Sequence, residues 1–318
     1  MRLKMKPGIA AAVEKSPWRV WFRATRFHFV PPSILPAILG SVIAWSRAHF
    51  FEPGYFCLVV AGVTINHVGL NMIDDVFDYL HNVDTAPEGE KNPYTGGSGV
   101  LTEGLLSIPQ MSRAAMACFA VTALIGFYLT WACGWLVVIF GIIGMASSLF
   151  YTMPPIKFGY RGFGELGLLV NFGPIIVLGS YYVQTRTLAL EPLIASLILG
   201  FMMWSMIIIN EIPDYEEDRR GGKWNLVARF GRKTAVKLYA GGLAAAYAVL
   251  LASILMKVTP YLTLLGFASL PLTLKSLRIL KANYGDRIKL IPANLTMIQV
   301  HSLTGLSLIL GYLIHGMV

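Results

Sequence analysis

The sequence predicts an all-α, polytopic membrane protein with about nine transmembrane helices around a central cavity and a cytoplasmic N-terminus. Three observations carry this prediction. Of the 318 residues, 55% are hydrophobic and the mean hydropathy is +0.61, beyond the apolar share of a soluble domain. The apolar residues gather in windows of about 20 with few or no charges, the length a helix needs to cross a hydrocarbon core. The charged residues between these windows are sorted by sign and by side.

Taken in order, the first 30 residues carry seven Lys and Arg and no continuous apolar core, so no cleavable signal peptide is expected. Within them Trp18, Trp21, Phe22, Phe27 and Phe29 alternate with Arg19, Arg23 and Arg26, which suits a helix lying in the membrane interface as an anchor and lid. Spans are expected over about 33–51, 54–73, 113–132, 134–152, 164–183, 192–212, 235–256, 259–275 and 294–315. The whole of 1–318 reads as a single domain, with an interfacial segment over 1–30 and cytoplasmic loops over 74–112 and 213–234 capping the site. Cys57, Cys118 and Cys133 all fall in apolar stretches without a paired spacing, so neither disulfides nor a zinc site is expected.

All but three of the 26 Lys and Arg fall at the N-terminus or in the loops after the second, fourth, sixth and eighth spans; Arg47, Arg186 and Lys257 are the exceptions. Positive loops stay in the cytoplasm, so the N-terminus is placed inside and the C-terminus outside, in the cell inner membrane. The formal net charge of +9 therefore reports topology and an anionic substrate. No nucleic-acid motif is present and no nucleic-acid partner is expected.

Twelve of the seventeen Asp and Glu lie in two segments, Asp74 to Glu103 and Glu211 to Asp218, each starting at the cytoplasmic end of an expected span. The segments resemble each other, which suggests an internal repeat of about four helices that brings the acids face to face across a cavity. In the first, Asn71, Asp74, Asp75 and Asp78 fall at i, i+3, i+4 and i+7 and share one helical face. In the second, Asn210, Asp214 and Asp218 are spaced by four, with Glu211 on the same side. Several like charges on one face near a membrane core repel one another unless a cation neutralises them. Mg²⁺ fits best: it prefers oxygen, keeps some of its water and joins a few carboxylates to a substrate phosphate. Asp74, Asp75, Asp78, Glu211, Asp214 and Asp218 are the candidate metal ligands, and a diphosphate bridging the two faces through Mg²⁺ would satisfy the charges. Asn71, Asn210, Arg26, Lys157, Arg219 and Lys223 are the candidate diphosphate-binding residues, with Arg23, Arg161 and Arg220 on the same side. Tyr151, at the end of the fourth expected span, is placed to donate a hydrogen bond to a leaving group. Asp75, Asp78, Asp214, Asp218 and Tyr151 make up the candidate catalytic set.

The motif pair N-x-x-D-D-x-x-D and N-E-x-P-D-x-E-x-D-x-x-x-G-K, on about nine spans, resembles the UbiA superfamily of intramembrane prenyltransferases over nearly the whole chain. Thr95-Gly-Gly-Ser-Gly-Val-Leu-Thr-Glu-Gly104, together with Asn210 to Asp214 followed by Gly222-Lys223, is most similar to the MenA-like branch, which prenylates 1,4-dihydroxy-2-naphthoate for menaquinone. Hydroxybenzoate-type members more often show N-D-x-x-D-x-x-x-D at the first motif, and position 72 here is Met. The resemblance implies a helical bundle with a lateral opening for a lipid chain, a polyprenyl diphosphate as donor and an aromatic small molecule as acceptor. Asn71, Asp75 and Asp78 match its first motif, Asp214 and Asp218 its second, and Lys157, Lys223 and Tyr151 positions used for the diphosphate. A hydroxybenzoate-type or other aromatic prenyltransferase, and a UbiA-type cyclase that closes the same diphosphate on itself without an acceptor, are the alternatives.

Other classes fit less well. Ion-coupled carriers place carboxylates near mid-membrane, whereas these lie at one end beside Lys and Arg. The compact D-G-x-x-A-R signature of CDP-alcohol phosphotransferases is missing. Asn66, His67, Asn171, Asn294, Gln299 and His301, polar residues within apolar stretches, are expected to bond between helices. Gly96-Gly-Ser-Gly99 lacks Walker spacing and is expected to give flexibility to a loop over the site.

Overall fold

Residues 16–83 and 92–318 are described by the structure, a computed structural model. The expected segment over 1–15 and the middle of the first loop, 84–91, lie outside the described residues. Among the described residues every regular element is helical. They are α1 (Pro17–Ala24), α2 (Pro31–Ala48), α3 (Pro53–Leu80), α4 (Ile108–Cys133), α5 (Leu136–Phe150), α6 (Gly164–Val170), α7 (Ile176–Thr185), α8 (Leu190–Glu211), α9 (Tyr215–Arg220), α10 (Leu226–Phe230), α11 (Arg232–Leu255), α12 (Leu270–Asn283) and α13 (Ile291–Met317). A π turn over Asn171–Ile175 joins α6 to α7, and a 3-10 segment over Tyr261–Ser269 leads into α12.

Local signals set many of these boundaries. Proline occupies the first turn of α1, α2, α3, α4, α12 and α13, where its missing N–H costs nothing and its fixed φ is already helical. Ser107 opens α4 with a capping box, its backbone N–H donating to Gln110 Oε1 at 2.9 Å. Inside the α6–α7 span Pro174 has no N–H to give and its ring crowds the carbonyl one turn earlier; the wide π turn accommodates it.

Among the described residues seven helices are long and apolar enough to cross a membrane, and an eighth is counted if Pro17–Phe29 and Pro31–Ala48, inclined by 54°, form one broken span. The expected span 134–152 appears as α5, whose 15 residues rise about 22 Å, short of a hydrocarbon core of about 30 Å. The helices bearing the acidic motif and the basic ends overrun the apolar windows. α3 continues through Asp74, Asp75 and Asp78 to Leu80, and α12 runs on to Asn283 past Lys275, Arg278 and Lys281.

Consecutive helices pair as α3 with α4 and α12 with α13, α8 pairs with α11, and α2 packs on α7 and α13, so the first and last spans close the bundle. α8 is the most deeply enclosed span, whereas Leu124, Phe127 and Trp131 of α4, Trp135 before α5 and Ile142 of α5 face outward, as lipid-facing residues do. The α2–α7 contact depends on Gly40: a Cβ there would lie 2.3 Å from the Val177 carbonyl oxygen, and the hydroxyls of Ser41 and Ser180 bond across the contact at 2.9 Å. Gly40→Leu is expected to force these helices apart at a cost of about 1–3 kcal/mol or more, read as a lower thermal midpoint of the detergent-purified protein. An unchanged midpoint would show that the two helices do not meet there.

Candidate active site

The two acidic motifs end α3 and α8 at the same end of the bundle, with the C-terminus of α5 and the N-terminus of α6 beside them. Arg47, Arg186 and Lys257 terminate their helices at the opposite end. Between the motifs lies a cavity of about 130 Å³. Ten nominated residues line it: Arg26, Asn71, Asp74, Asp78, Tyr151, Asn210, Glu211, Asp214, Asp218 and Lys223.

Asp75, Asp78, Asp214 and Asp218 each accept from their own donors. Asp78 accepts from Lys223 Nζ at 2.9 Å and from the Tyr160 hydroxyl at 2.6 Å. Asp75 accepts from the Ser98 N–H at 3.0 Å and lies 3.4 Å from Arg26 Nη1, which stands 3.5 Å from Asp74. Asp214 accepts from the Gly96 N–H at 2.9 Å and the Thr95 hydroxyl at 3.1 Å. Asp218 accepts from Asn225 Nδ2 at 2.6 Å, and Asn225 in turn caps α10 by accepting from the Ala228 N–H at 2.7 Å. One loop thus holds an acid from each motif: Gly96, at φ +66°, turns the chain so that its own N–H meets Asp214 and that of Ser98, two residues on, meets Asp75. Arg23 of α1 tethers the same loop through the Ser98 carbonyl and an ion pair with Glu103.

Burial pushes the Asp218 carboxyl well above the ordinary carboxylate range, with Asp214 and Asp78 adding to the rise and Lys223 opposing it. Asp214 is pushed up to about 6 by burial, against the pull of Arg287 and Lys223. Burial by itself would lower Lys223, but Asp78, Asp218 and Asp74 outweigh it and hold its ammonium more firmly charged than a lysine in water.

The fit to a hard cation rests on oxygen atoms that nothing in the chain satisfies. Oδ1 of Asp74 is buried without a hydrogen-bond partner, and the buried carboxylate of Glu211 has only another acid, Glu165, beside it. An anionic oxygen left so is costly, and Mg²⁺ takes oxygen ligands of this kind. Among the described residues no three acids are drawn tightly enough around one point to ligate an ion as placed. Lys223, Arg26 and the loop donors share their charge instead.

Three nominated residues stand outside the cavity lining. Asp75 lies under the loop that binds it. Lys157 bonds His81 Nε2 at 2.5 Å and sits 5.3 Å from the Tyr160 ring, one layer back from Asp78. Arg219 turns outward, bonding the Tyr215 hydroxyl at 2.6 Å, with its guanidinium 5.6 Å from the Trp224 ring; on the six-residue α9 it is exposed while Asp218 beside it is buried, so it is not brought to the acids. Tyr160, Asn225, Thr95, Gly96 and Ser98 carry bonds to the acids that the motif spacing did not indicate. Asn225 left a local sign, an Asn directly before a helix start, and Thr95, Gly96 and Ser98 lie in the glycine-rich stretch read as a loop over the site; Tyr160 left none. Asn294 has the interhelical role expected of it, donating to Asn210 Oδ1 at 2.9 Å while accepting from Asn92 at 3.0 Å.

Further into the bundle a second, apolar cavity of about 460 Å³ opens between α3, α4, α5 and the α6–α7 span. The two cavities share His67, Leu70 and Phe172 as walls, so the charged chamber lies directly against the apolar one. Lys223→Met strips the buried Asp78 of its ion pair and is expected to lower stability by about 3 kcal/mol, measured as a drop in thermal midpoint. A variant as stable as the parent would mean that another group neutralises Asp78.

The model of the UbiA prenyltransferase family matches residues 33–298. The 1,4-dihydroxy-2-naphthoate octaprenyltransferase of Mycobacterium tuberculosis is 30% identical over 275 residues, 86% of this chain and 89% of that one. That of Bacillus subtilis is 26% identical over 240 residues, 76% and 75% of the two chains. Among solved structures, a UbiA homolog from Archaeoglobus fulgidus bound to GPP and Mg²⁺ superposes with a TM-score of 0.64 at 15% identity, covering 91% of this chain and 99% of that one.

Proposed function

The chain belongs to the UbiA prenyltransferase family, and from that premise we propose that it transfers a polyprenyl group from a prenyl diphosphate to 1,4-dihydroxy-2-naphthoate with Mg²⁺ as cofactor. In this reading it is a multi-pass protein of the cell inner membrane with its acidic end toward the cytoplasm, in accord with the sorting of basic residues. The observation that carries the proposal is the adjacency of a charged and an apolar cavity across His67, Leu70 and Phe172. A prenyl diphosphate has the same two parts, a compact multiply charged head and a long tail without polar atoms.

Asp74, Asp75, Asp78, Glu211, Asp214 and Asp218 are the residues that would hold Mg²⁺, which when bound supplies positive charge to a diphosphate leaving group. Arg26 and Lys223, both in the cavity wall, would draw the diphosphate oxygens between the motifs. Tyr151 stands in the same wall, with its hydroxyl available to the leaving oxygen. Stabilising the charge that grows on the departing diphosphate lowers the barrier to breaking the allylic C–O bond. The apolar walls beyond the junction keep water from the resulting allylic cation, and Phe172 sets an aromatic ring beside the place where it forms. The electron-rich acceptor ring then closes the new C–C bond, with loss of the ring carboxylate as the family resemblance implies.

Mass spectrometry of products from the purified protein, given Mg²⁺, a long-chain prenyl diphosphate and either dihydroxynaphthoate or hydroxybenzoate, tests this. A prenylated, decarboxylated naphthol that disappears when EDTA removes the divalent ion is expected. A prenylated benzoate alone, or only cyclised hydrocarbon, would replace the proposal with one of its alternatives. In the same assay Asp214→Ala and Asp75→Ala are each expected to cut turnover by at least about 100-fold while the protein stays folded in detergent. Near-normal turnover in either variant would remove that acid from the proposed machinery.

A further inference from the structure

A polar side chain inside a membrane bundle is expensive unless it is paired. In the apolar cavity three of them sit together on three different spans. Asn66 of α3 donates from Nδ2 to Ser148 Oγ of α5 at 2.7 Å, and Ser148 donates to the Gly144 carbonyl at 3.0 Å. A Cβ on Gly144 would stand 3.6 Å from Oδ1 of Asn171, the residue that opens the π turn, an ordinary contact distance that places that amide beside the same point of α5. All four residues line the cavity. The Oδ1 atoms of Asn66 and Asn171 are both buried, and neither accepts a hydrogen bond.

Two orphaned carbonyl oxygens in one apolar chamber call for a ligand with two hydrogen-bond donors. A polyprenyl tail has none, and a diphosphate at this pH offers acceptors. The hydroxyl groups of an electron-rich aromatic ring are donors of the required kind. Position agrees with chemistry, because Asn66 adjoins His67 and Asn171 adjoins Phe172, two of the three residues where the charged and apolar cavities meet. The first carbon of a prenyl group whose diphosphate lies among the acids would reach that junction. Pro174 and the π turn it imposes shape the backbone on which Asn171 sits, and π turns recur at functional sites.

We propose that Asn66 and Asn171 form the acceptor subsite, their Oδ1 atoms taking hydrogen bonds from the hydroxyls of the aromatic acceptor and setting its ring at the junction. The inference rests on the prenyl-transfer reading and names residues for its second substrate. Accepting these bonds leaves more electron density on the ring oxygens, so the same contacts that orient the ring also favour its attack.

The test uses the full-length protein in detergent. Asn171→Leu keeps the side-chain size and removes an unsatisfied buried group, so the thermal midpoint should hold or rise. The acceptor KM should rise at least about tenfold while the prenyl diphosphate KM stays within about twofold. An acceptor with one hydroxyl methylated should lose about tenfold in kcat/KM with the wild-type protein, and methylating the hydroxyl that faces Asn171 should cost Asn171→Leu nothing further. If both mono-methylated acceptors are used by the wild-type protein as well as the parent compound, or if Asn171→Leu raises both KM values alike or neither, the subsite is refuted even if no variant proves informative on its own. Failure of the wild-type protein to prenylate any aromatic acceptor would instead remove the prenyl-transfer reading, and the subsite with it.

Discussion

The constraint on which the rest of this structure depends is the concentration of negative charge at one end of a membrane bundle. Asp75, Asp78, Glu211 and Asp218 are buried, and all but Asp75 line one small cavity together with Asp74 and Asp214. Carboxylates so placed must be paired or coordinated, or the bundle end would be driven apart. Much of the irregular structure answers that demand. The Thr95–Ser98 loop folds back to give an N–H to each motif, Asn225 leaves one amide for Asp218 while capping a helix, and Lys223 is held in the interior beside Asp78.

How much of this was legible in the sequence follows from how far each contact reaches along the chain. The helix bearing Asn71, Asp74, Asp75 and Asp78 could be read from spacing, because a helical face is a local property and all four lie within two turns. The opposition of the two motifs followed from their likeness and shared membrane side. What spacing does not encode is which way a side chain leaves a short, irregular segment. Arg219 and Lys223 both follow the second motif; the first points to the surface with Tyr215, the second is buried. Tyr160 and Thr95 are separated from their acids by 82 and 119 residues, and no local pattern marks such a partner. The span count differs for a similar reason: hydropathy measures an apolar window, whereas the length of α5 and the bend before α2 are set by neighbouring helices and by the turn at Arg26.

The same bundle keeps two very different solvents side by side. Above His67 and Phe172 the walls are charged and hydrogen-bonded; below them they are mostly aliphatic and aromatic, with a few hydroxyls and the amides of Asn66 and Asn171 among them. A reaction that must both pull an anion away and shield a carbocation from water needs these environments within one bond length of each other. Joining α6 to α7 through a π turn, and leaving a glycine opposite it on α5, places the boundary where three helices can shape it.

Lys223 carries a consequence for how the protein holds together. Zinc fingers fold only when their ion arrives, since nothing else can hold their ligands together. Here an ammonium group, a guanidinium and a strip of backbone amides supplied by the chain already neutralise most of the acids. This end of the bundle can therefore hold together without a divalent ion, and an ion entering the site would replace one set of positive charges with another.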